Sequence, residues 1–583
     1  MRQLIFIFSI FTMITALPLH AQQASQAVPE AFTGLNYKKA TYSANGMVSA
    51  ANPHAVNAGV KMIEQGGNAI DAVVAIQLVL TLVEPQSSGI GGGAFMLWYD
   101  NVKKELTTFD GRETAPESAT PELFVGQNGK AIPWIKALVG GRSVGTPGVL
   151  EMLWQVHQQY GKLPWKKLFQ PAIKLAQDGF IVSPRLATLV QIKFNPGLTQ
   201  LKAARNYFYP NGKVIEAGQL LKNPEYAATL IRISEKGISD FYQGQTAKGI
   251  VEAVKNSEIA PGKLTLGDLK NYKSKRRDAV CMDYRGETGD YEVCSMGPPS
   301  SGGLTVLQIL KLLEPYQLNK HTVDSLETVH LYTQAAKLAY ADRDKYLADS
   351  DFVSVPNTQH YLDKDYLDSR RQLISLKADM GHAKAGDISI NDFAPNEDIS
   401  QPNTSHISII DKKGNALSMT TTIEMGFGSA VMAEGFLLNN QLTDFSLSPK
   451  RNGKLVANRV AANKRPRSSL TPVIIFKGDK GYAVIGSPGG SQIINYVGYA
   501  LIGLLDFGMD MKQVVDMPRI SNRNGATSLE KGTKVAKLFT QLEKMGHKVK
   551  VVNLNSGIQG VLKTDKGWQG AADPRREGTA IGL

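Results

Sequence analysis

An α+β fold is what this sequence predicts, and three stretches carry the prediction. Ile407-Ser408-Ile409-Ile410, Asp411-Lys412-Lys413-Gly414-Asn415 and Ala416-Leu417-Ser418-Met419 are an apolar run, a turn cluster and a second apolar run, the pattern of a β-hairpin. Ala69 to Val83 is apolar almost throughout, as in a helix buried on all sides. Val473–Phe476 and Tyr482–Gly486 read as two more strands, and an amphipathic helix follows Gly490 to about Phe507. Hairpins and buried helices together need sheet and helix layers around a common core. With 583 residues, 43% hydrophobic and 20% charged, the chain has ample material for one.

The chain starts Met1-Arg2-Gln3, continues as an apolar run from Leu4 to Leu17, and reaches Ala21 through Pro18-Leu19-His20. A basic start, an apolar stretch and a small residue before Gln22 predict a signal peptide over 1–21, although Leu19 stands where a small residue is preferred. The rival reading, a membrane anchor, needs a longer apolar run. No later segment is apolar for long enough to cross a bilayer, so a periplasmic or secreted protein is expected. Export permits a disulfide. Cys281 and Cys294 flank a turn at Gly286–Gly289 and are the candidate pair; two buried thiols are the alternative. The net charge of +13 comes from scattered residues. No finger spacing, basic helix or aromatic-studded RNA motif accompanies it, which argues against nucleic-acid binding.

Further elements follow in order. Gln22–Tyr42 is polar and loop-like, Ala51 to Gln65 reads as a helix, and Gly66-Gly67-Asn68 ends it. Ser88-Gly89-Ile90-Gly91-Gly92-Gly93 enters the strand Ala94–Tyr99, not a helix, and lacks a P-loop lysine. It predicts a tight turn near a pocket. Thr107 to Glu113 closes a hairpin, and 148–376 is mostly helical. Pro298-Pro299-Ser300-Ser301-Gly302-Gly303 caps a helix ending near Leu313. Met380 to Pro402 is polar and turn-rich, an exposed junction open to cleavage. A strand near Phe436–Asn439 and a loop from Leu447 to Asn463 complete the reading.

Chemistry enters at the hairpin. If Ile410 faces Ala416, the register sets Thr404 opposite Thr422. A threonine hydroxyl is a weak nucleophile until a base removes its proton. A threonine at a chain N-terminus carries that base as its own α-amine, with a pKa of about 7.7–8.0. Alone, the hairpin also reads as a surface element with β-favouring threonines. Gly486-Ser487-Pro488-Gly489-Gly490-Ser491 joins a strand to a helix and suits an oxyanion. It is not a G-x-S-x-G elbow, because Ile485 lies two residues before Ser487. Arg112 with Lys464, Arg465, Arg467, Ser468 and Ser469 can form a carboxylate clamp. Glu424, Gln441 and Asp444 can hold an ammonium group.

Together these residues resemble the γ-glutamyltransferase family. The resemblance rests on Thr404-Ser405-His406, Thr420-Thr421-Thr422, Leu438-Asn439-Asn440-Gln441, Asp444-Phe445, Lys464-Arg465-Pro466, Ser468-Ser469 and Gly486-Ser487-Pro488-Gly489-Gly490. Upstream it includes Gly66 to Ala72, Ser88 to Gly93 and Pro298 to Gly303, in the same order. It implies an N-terminal-nucleophile hydrolase, a four-layer αββα sandwich with two stacked, mainly antiparallel sheets. A precursor would cut itself between Asn403 and Thr404. The large subunit, 22–403, and the small one, 404–583, would stay together as one folded unit. Thr404 would attack the γ-carbonyl of glutathione or another γ-glutamyl compound, and water or an acceptor amino acid or peptide would take the glutamyl group. Thr422 would orient Thr404, and Gly489 and Gly490 would supply the oxyanion hole. Arg112, Ser468 and Ser469 would hold the donor's α-carboxylate; Glu424, Gln441 and Asp444 would hold its α-amine. No metal or organic cofactor is implied.

The chain departs from the family's pattern in three places. Glu424 stands where some members have Asn, Asn403 precedes the cut where others vary, and the lid stretch 447–462 is short and lacks an aromatic residue. One rival is a related glutaryl or cephalosporin-type acylase, which would not need Glu424, Gln441 and Asp444. Another is a non-catalytic periplasmic glutamyl-peptide binding protein, which would stay one intact chain.

Overall fold

The computed structural model describes residues 31–388, 391–396 and 402–583. The signal-peptide expectation for 1–21 and part of the cleavable junction lie outside them. The architecture is an αββα sandwich built on two seven-stranded antiparallel sheets. In the first, the strands run Thr579–Gly582, Met47–Ala50, Pro402–Ile410, Ala416–Met425, Gly93–Asp100, Glu105–Asp110 and Lys275–Arg277. In the second they run Thr41–Ser43, Gly567–Ala572, Gln559–Thr564, Lys480–Gly486, Val473–Lys477, Gly289–Met296 and Ala279–Gly286.

Strand alternation sorts the core into layers. Met96 and Trp98 face one core with Ile407, Ile409, Leu417 and Met419. Phe95, Leu97 and Tyr99 face the other, with Val473, Ile475 and Val484 of the second sheet. Tyr99 meets Phe476 across the sheets with ring centroids 4.8 Å apart. Helices Pro53–Glu64, Ala69–Val83 and Val149–Tyr160 cover the first sheet. Helices Gly302–Leu313, Leu326–Tyr346 and Ile493–Leu505 cover the second.

The helix Ala69–Val83 has the predicted bounds, and all its residues are buried. Asn68 and Asp71 form a capping box at its start, satisfying N–H groups that no helical turn can reach. The helix expected over 51–65 runs from Pro53 to Glu64, capped by Asn52. The helix expected after Gly490 opens with a 3₁₀ turn at Gly490–Gln492, then runs as α-helix from Ile493 to Leu505. Two expectations need correction. The loop-like stretch to Tyr42 contributes the strand Thr41–Ser43, which exists because Gly570, Gln569 and Trp568 pair with it. The mostly helical stretch contains three strands between Lys275 and Met296, two of them joined by the turn between the cysteines. Cys281 lies directly opposite Cys294, with the sulfurs at bonding distance. Among the described residues, no helix is long and apolar enough to cross a membrane.

Candidate active site

The predicted hairpin forms in the predicted register from Ile410↔Ala416 to Ser405↔Thr421. There the ladder shifts, and Asn403 pairs with Glu424. Thr404 therefore faces a β-bulge at Thr422 and Ile423, not Thr422 alone. The cause is local: Glu424 has φ +79°, and its N–H donates to Thr422 Oγ1 at 2.8 Å, closing a tight hydroxyl-capped turn. That bond leaves the Thr422 hydroxyl proton for another acceptor. It goes to the carbonyl oxygen of Asn403 at 2.6 Å, the peptide carbonyl preceding Thr404.

The glycine run packs behind this turn, as its sequence predicted. A Cβ on Gly92 would stand 2.1 Å from the Thr422 carbonyl oxygen, and one on Gly91 would stand 2.2 Å from that of Leu437. Only glycine permits that approach. Asn439 ties the loop down: its Nδ2 donates to Gly91 and Gly145 carbonyls at 2.8 Å, and its Oδ1 accepts from Gln441 N–H at 3.0 Å. This fixes the 3₁₀ turn Gln441–Asp444.

Thr404 and Thr422 open on a cavity of about 20 Å³, with room for about one water. Arg112, Gln441, Asp444, Ser468, Ser469 and Gly490 share its lining, so residues from five separate stretches come together there. Glu424 and Gly489 are not in the lining. Gly489 adjoins Gly490 with φ +136°, and its Cα faces the Tyr496 ring. Of the three cations before Ser468, only Arg467 reaches the cavity. Arg465 is engaged with Asp110, and buried Lys464 caps the Ala457 and Arg459 carbonyls. The Pro298–Gly303 motif braces the serines: Ser301 N–H and Oγ both donate to the Ser468 carbonyl, and Ser300 Oγ to that of Leu470.

The two halves of the amino-acid-binding set expected from the sequence are one network. Arg112 Nη2 donates to Asp444 Oδ2, which also accepts from Gln441 Nε2 at 2.6 Å. The separate carboxylate and ammonium clamps expected from sequence are thus in contact, because the turn Gln441–Asp444 lies against the loop carrying Arg112. Around this network, buried polar atoms without a hydrogen-bond partner accumulate. They are Thr404 Oγ1, Gln441 Oε1, Arg112 Nη1, and both carboxyl oxygens of Glu424 and of Glu113. Buried polar atoms nearly always have partners, so such a concentration marks a place built for a polar ligand.

Burial sets the charge states. It pushes the Glu113 carboxyl up to about 8, against the pull of Arg112. Glu424 is driven well above the usual carboxylate range by burial and by Asp444. A neutral Glu424 can ionise when an ammonium group arrives beside it. His406, two residues after Thr404, is lowered to about 3 by burial and stays neutral. Its ring is bonded to the Thr420 and Ser408 hydroxyls, and it lies against Gly486. Among the described residues, the group dense enough to hold a metal is Cys281, Glu292 and Cys294. Its sulfurs are bonded to each other, so they are not free thiolates.

The family model described as gamma-glutamyltranspeptidase matches residues 55–583. The chain belongs to the γ-glutamyltranspeptidase family. It is similar to the glutathione hydrolase proenzyme of Bacillus subtilis, at 37% identity over 99% of this chain and 97% of that protein. The glutathione hydrolase proenzyme of Escherichia coli is 36% identical over 91% and 90% of the two chains. Among solved structures, cephalosporin acylase from Bacillus halodurans superposes with a TM-score of 0.82 and 28% identity, over 95% and 99% of the chains. Helicobacter pylori γ-glutamyltranspeptidase does so with a TM-score of 0.53 and 33% identity, over 59% and 94%.

Two arginines that meet this site are not among the candidates read from the sequence. Arg343, in the middle of helix Leu326–Tyr346, donates to Ser469 Oγ at 2.7 Å and to Ser301 Oγ at 2.8 Å. Nothing in the helix's pattern marks it. Arg467 is one of the three clamp cations expected from the sequence, where nothing distinguishes it from Arg465. Arg576 Nη1 donates to the carbonyl oxygen of Thr404 at 3.2 Å, across 172 residues.

Proposed function

We propose that the chain is a self-processing γ-glutamyltransferase that cleaves the γ-glutamyl bond of glutathione and related compounds. In maturation, Thr404 Oγ adds to the Asn403 carbonyl carbon, its proton passes to the Thr404 nitrogen, the Asn403–Thr404 C–N bond breaks, and an ester forms. Water hydrolyses it to an Asn403 carboxylate and a free Thr404 amine. In turnover that amine takes the Oγ proton, and Oγ attacks the donor's γ-carbonyl. The departing amine leaves with the proton, and water or an acceptor amine releases the glutamyl group. Gly489 and Gly490 serve the oxyanion, with Arg112, Ser468 and Ser469 on the α-carboxylate and Glu424, Gln441 and Asp444 on the α-amine.

One observation carries this reading. A buried threonine hydroxyl without a partner adjoins a cavity whose walls offer both cationic and acidic groups, the complement of an α-amino acid. The relatives' description as proenzymes supports the cut. The first sheet supports continued association of 22–403 with 404–583, since Met47–Ala50 and Gly93–Asp100 flank the Thr404 hairpin in it. Export after removal of 1–21, to the periplasm or outside the cell, completes the proposal.

The likeness to cephalosporin acylase favours a second reading, removal of a glutaryl-type side chain. Rates on a γ-glutamyl anilide and a glutaryl anilide, for protein whose intact mass reports both cuts, decide between them. Preference for the γ-glutamyl compound is expected. Preference for glutaryl would overturn the assignment of Gln441 and Asp444.

A further inference from the structure

The turn before the last strand brings a cation to the residue that holds the nucleophile. Arg576 is 2% exposed, and its Nη1 bonds the Thr404 carbonyl oxygen at 3.2 Å. Its side chain crosses Gly557, where a Cβ would stand 2.5 Å from Arg576 Cδ and 2.8 Å from Nε. Glycine there is what gives the arginine its passage. The turn itself is anchored. Arg576 N–H donates to the Asp573 carbonyl at 3.3 Å, and the Asp573 carboxylate accepts from Arg519, Arg575 and Ser556.

We propose that Arg576 is a positioning residue that lowers the basicity of the Thr404 α-amine, keeping it the free base that removes the hydroxyl proton. This rests on the reading of Thr404 as an N-terminal nucleophile. The nitrogen and carbonyl oxygen of one residue are three bonds apart, at most roughly 3.7 Å. The guanidinium therefore stands within about 7 Å of the amine. A fixed charge at that range, in a partly dielectric interior, disfavours the ammonium by on the order of one pK unit.

Among the described residues, the charged groups that face the amine are these. On its own strand His406 is neutral. Glu424, on the neighbouring strand, and Glu113, in the loop after Asp110, are both pushed toward the neutral acid by burial. Asp444 is paired with Arg112. From the remaining walls come Arg467 and Arg343, which share the Asp344 carboxylate between them.

The test is kcat/KM against pH, on a γ-glutamyl anilide, for processed wild type, Arg576→Lys and Arg576→Gln. The acid limb should move up by about one pH unit in Arg576→Gln and by much less in Arg576→Lys. An Arg576→Gln limb superimposed on wild type overturns the proposal. A variant that fails to mature does not shield it, because the amine can be titrated in processed wild type labelled with ¹⁵N-threonine. Titration below the ordinary α-amino range of about 7.7–8.0 supports the proposal, and titration within or above it overturns it. Failure of the underlying reading looks different: end-sequencing would not begin at Thr404.

Discussion

The hydroxyl of Thr422 donates a 2.6 Å hydrogen bond to the carbonyl oxygen of Asn403, the residue before the candidate nucleophile. The same oxygen accepts from Glu424 N–H, which holds the hydroxyl in place. A donor fixed on a carbonyl oxygen stabilises negative charge that develops there when the carbon is attacked. Thr422 is therefore better described as polarising the carbonyl of the proposed cut than as facing Thr404 across the strands.

Thr422→Ala should slow maturation by about 10²–10³-fold, the usual loss for one oxyanion donor. Thr422→Ser, which retains the hydroxyl, should mature far faster than the alanine variant. The time course of precursor loss on a denaturing gel measures both. Equal rates for Ala and Ser would remove this role.

Thr404→Ala removes the hydroxyl proposed as the nucleophile, and should give one uncut chain with no turnover. Intact mass and anilide hydrolysis check the two together. The side chain is small and buried, so the variant should stay folded.

Arg112→Ala should mature normally and lose donor affinity. Charged hydrogen bonds are worth roughly 1.5–3 kcal/mol, so donor KM should rise roughly 10- to 100-fold. Because Asp444 and Gln441 share the network, the Arg112→Ala and Asp444→Asn effects should not add. A double-mutant cycle on donor KM measures this.

Acid should weaken the fold through a pair of buried histidines. His330 Nε2 bonds the Ser375 carbonyl at 2.7 Å, so it carries a proton and Nδ1 accepts from His547 Nε2 at 2.8 Å. His547 Nδ1 in turn meets the Thr527 hydroxyl at 3.1 Å. An additional proton on His330 Nδ1 would face the His547 N–H and break that bond. Burial lowers His547 from 6.5 to about 4 and lowers His330 as well. Between those values the unfolded chain binds protons that the folded one does not, so stability falls as pH falls through that window. Denaturant midpoints should drop from pH 6.5 toward 4. His547→Gln, which cannot protonate, should show a shallower drop over the same range.

Local pattern made much of the molecule legible. The buried helix Ala69–Val83 is unbroken apolar sequence, and the 406–420 hairpin is two apolar runs around a turn. Such elements bond mainly to their own neighbours, so their sequence specifies them. Resemblance added the converging set of Arg112, Gln441, Asp444, Ser468, Ser469 and Gly490, and the cavity contains them all.

What the chain alone determined was which residue types stand where along hairpins and helices, because period and turn chemistry are short-range properties. What only the tertiary structure decided was how distant segments meet. The bulge at Thr404 depends on the turn at Glu424, and the Arg112–Asp444 contact spans 332 residues. The edge strand Thr41–Ser43 exists through its partner near the C-terminus. Arg576 reaches Thr404 because a glycine at 557 leaves it room and an anchored turn aims it there. None of these has a local signature, since each is stabilised by a contact whose other half lies far along the chain.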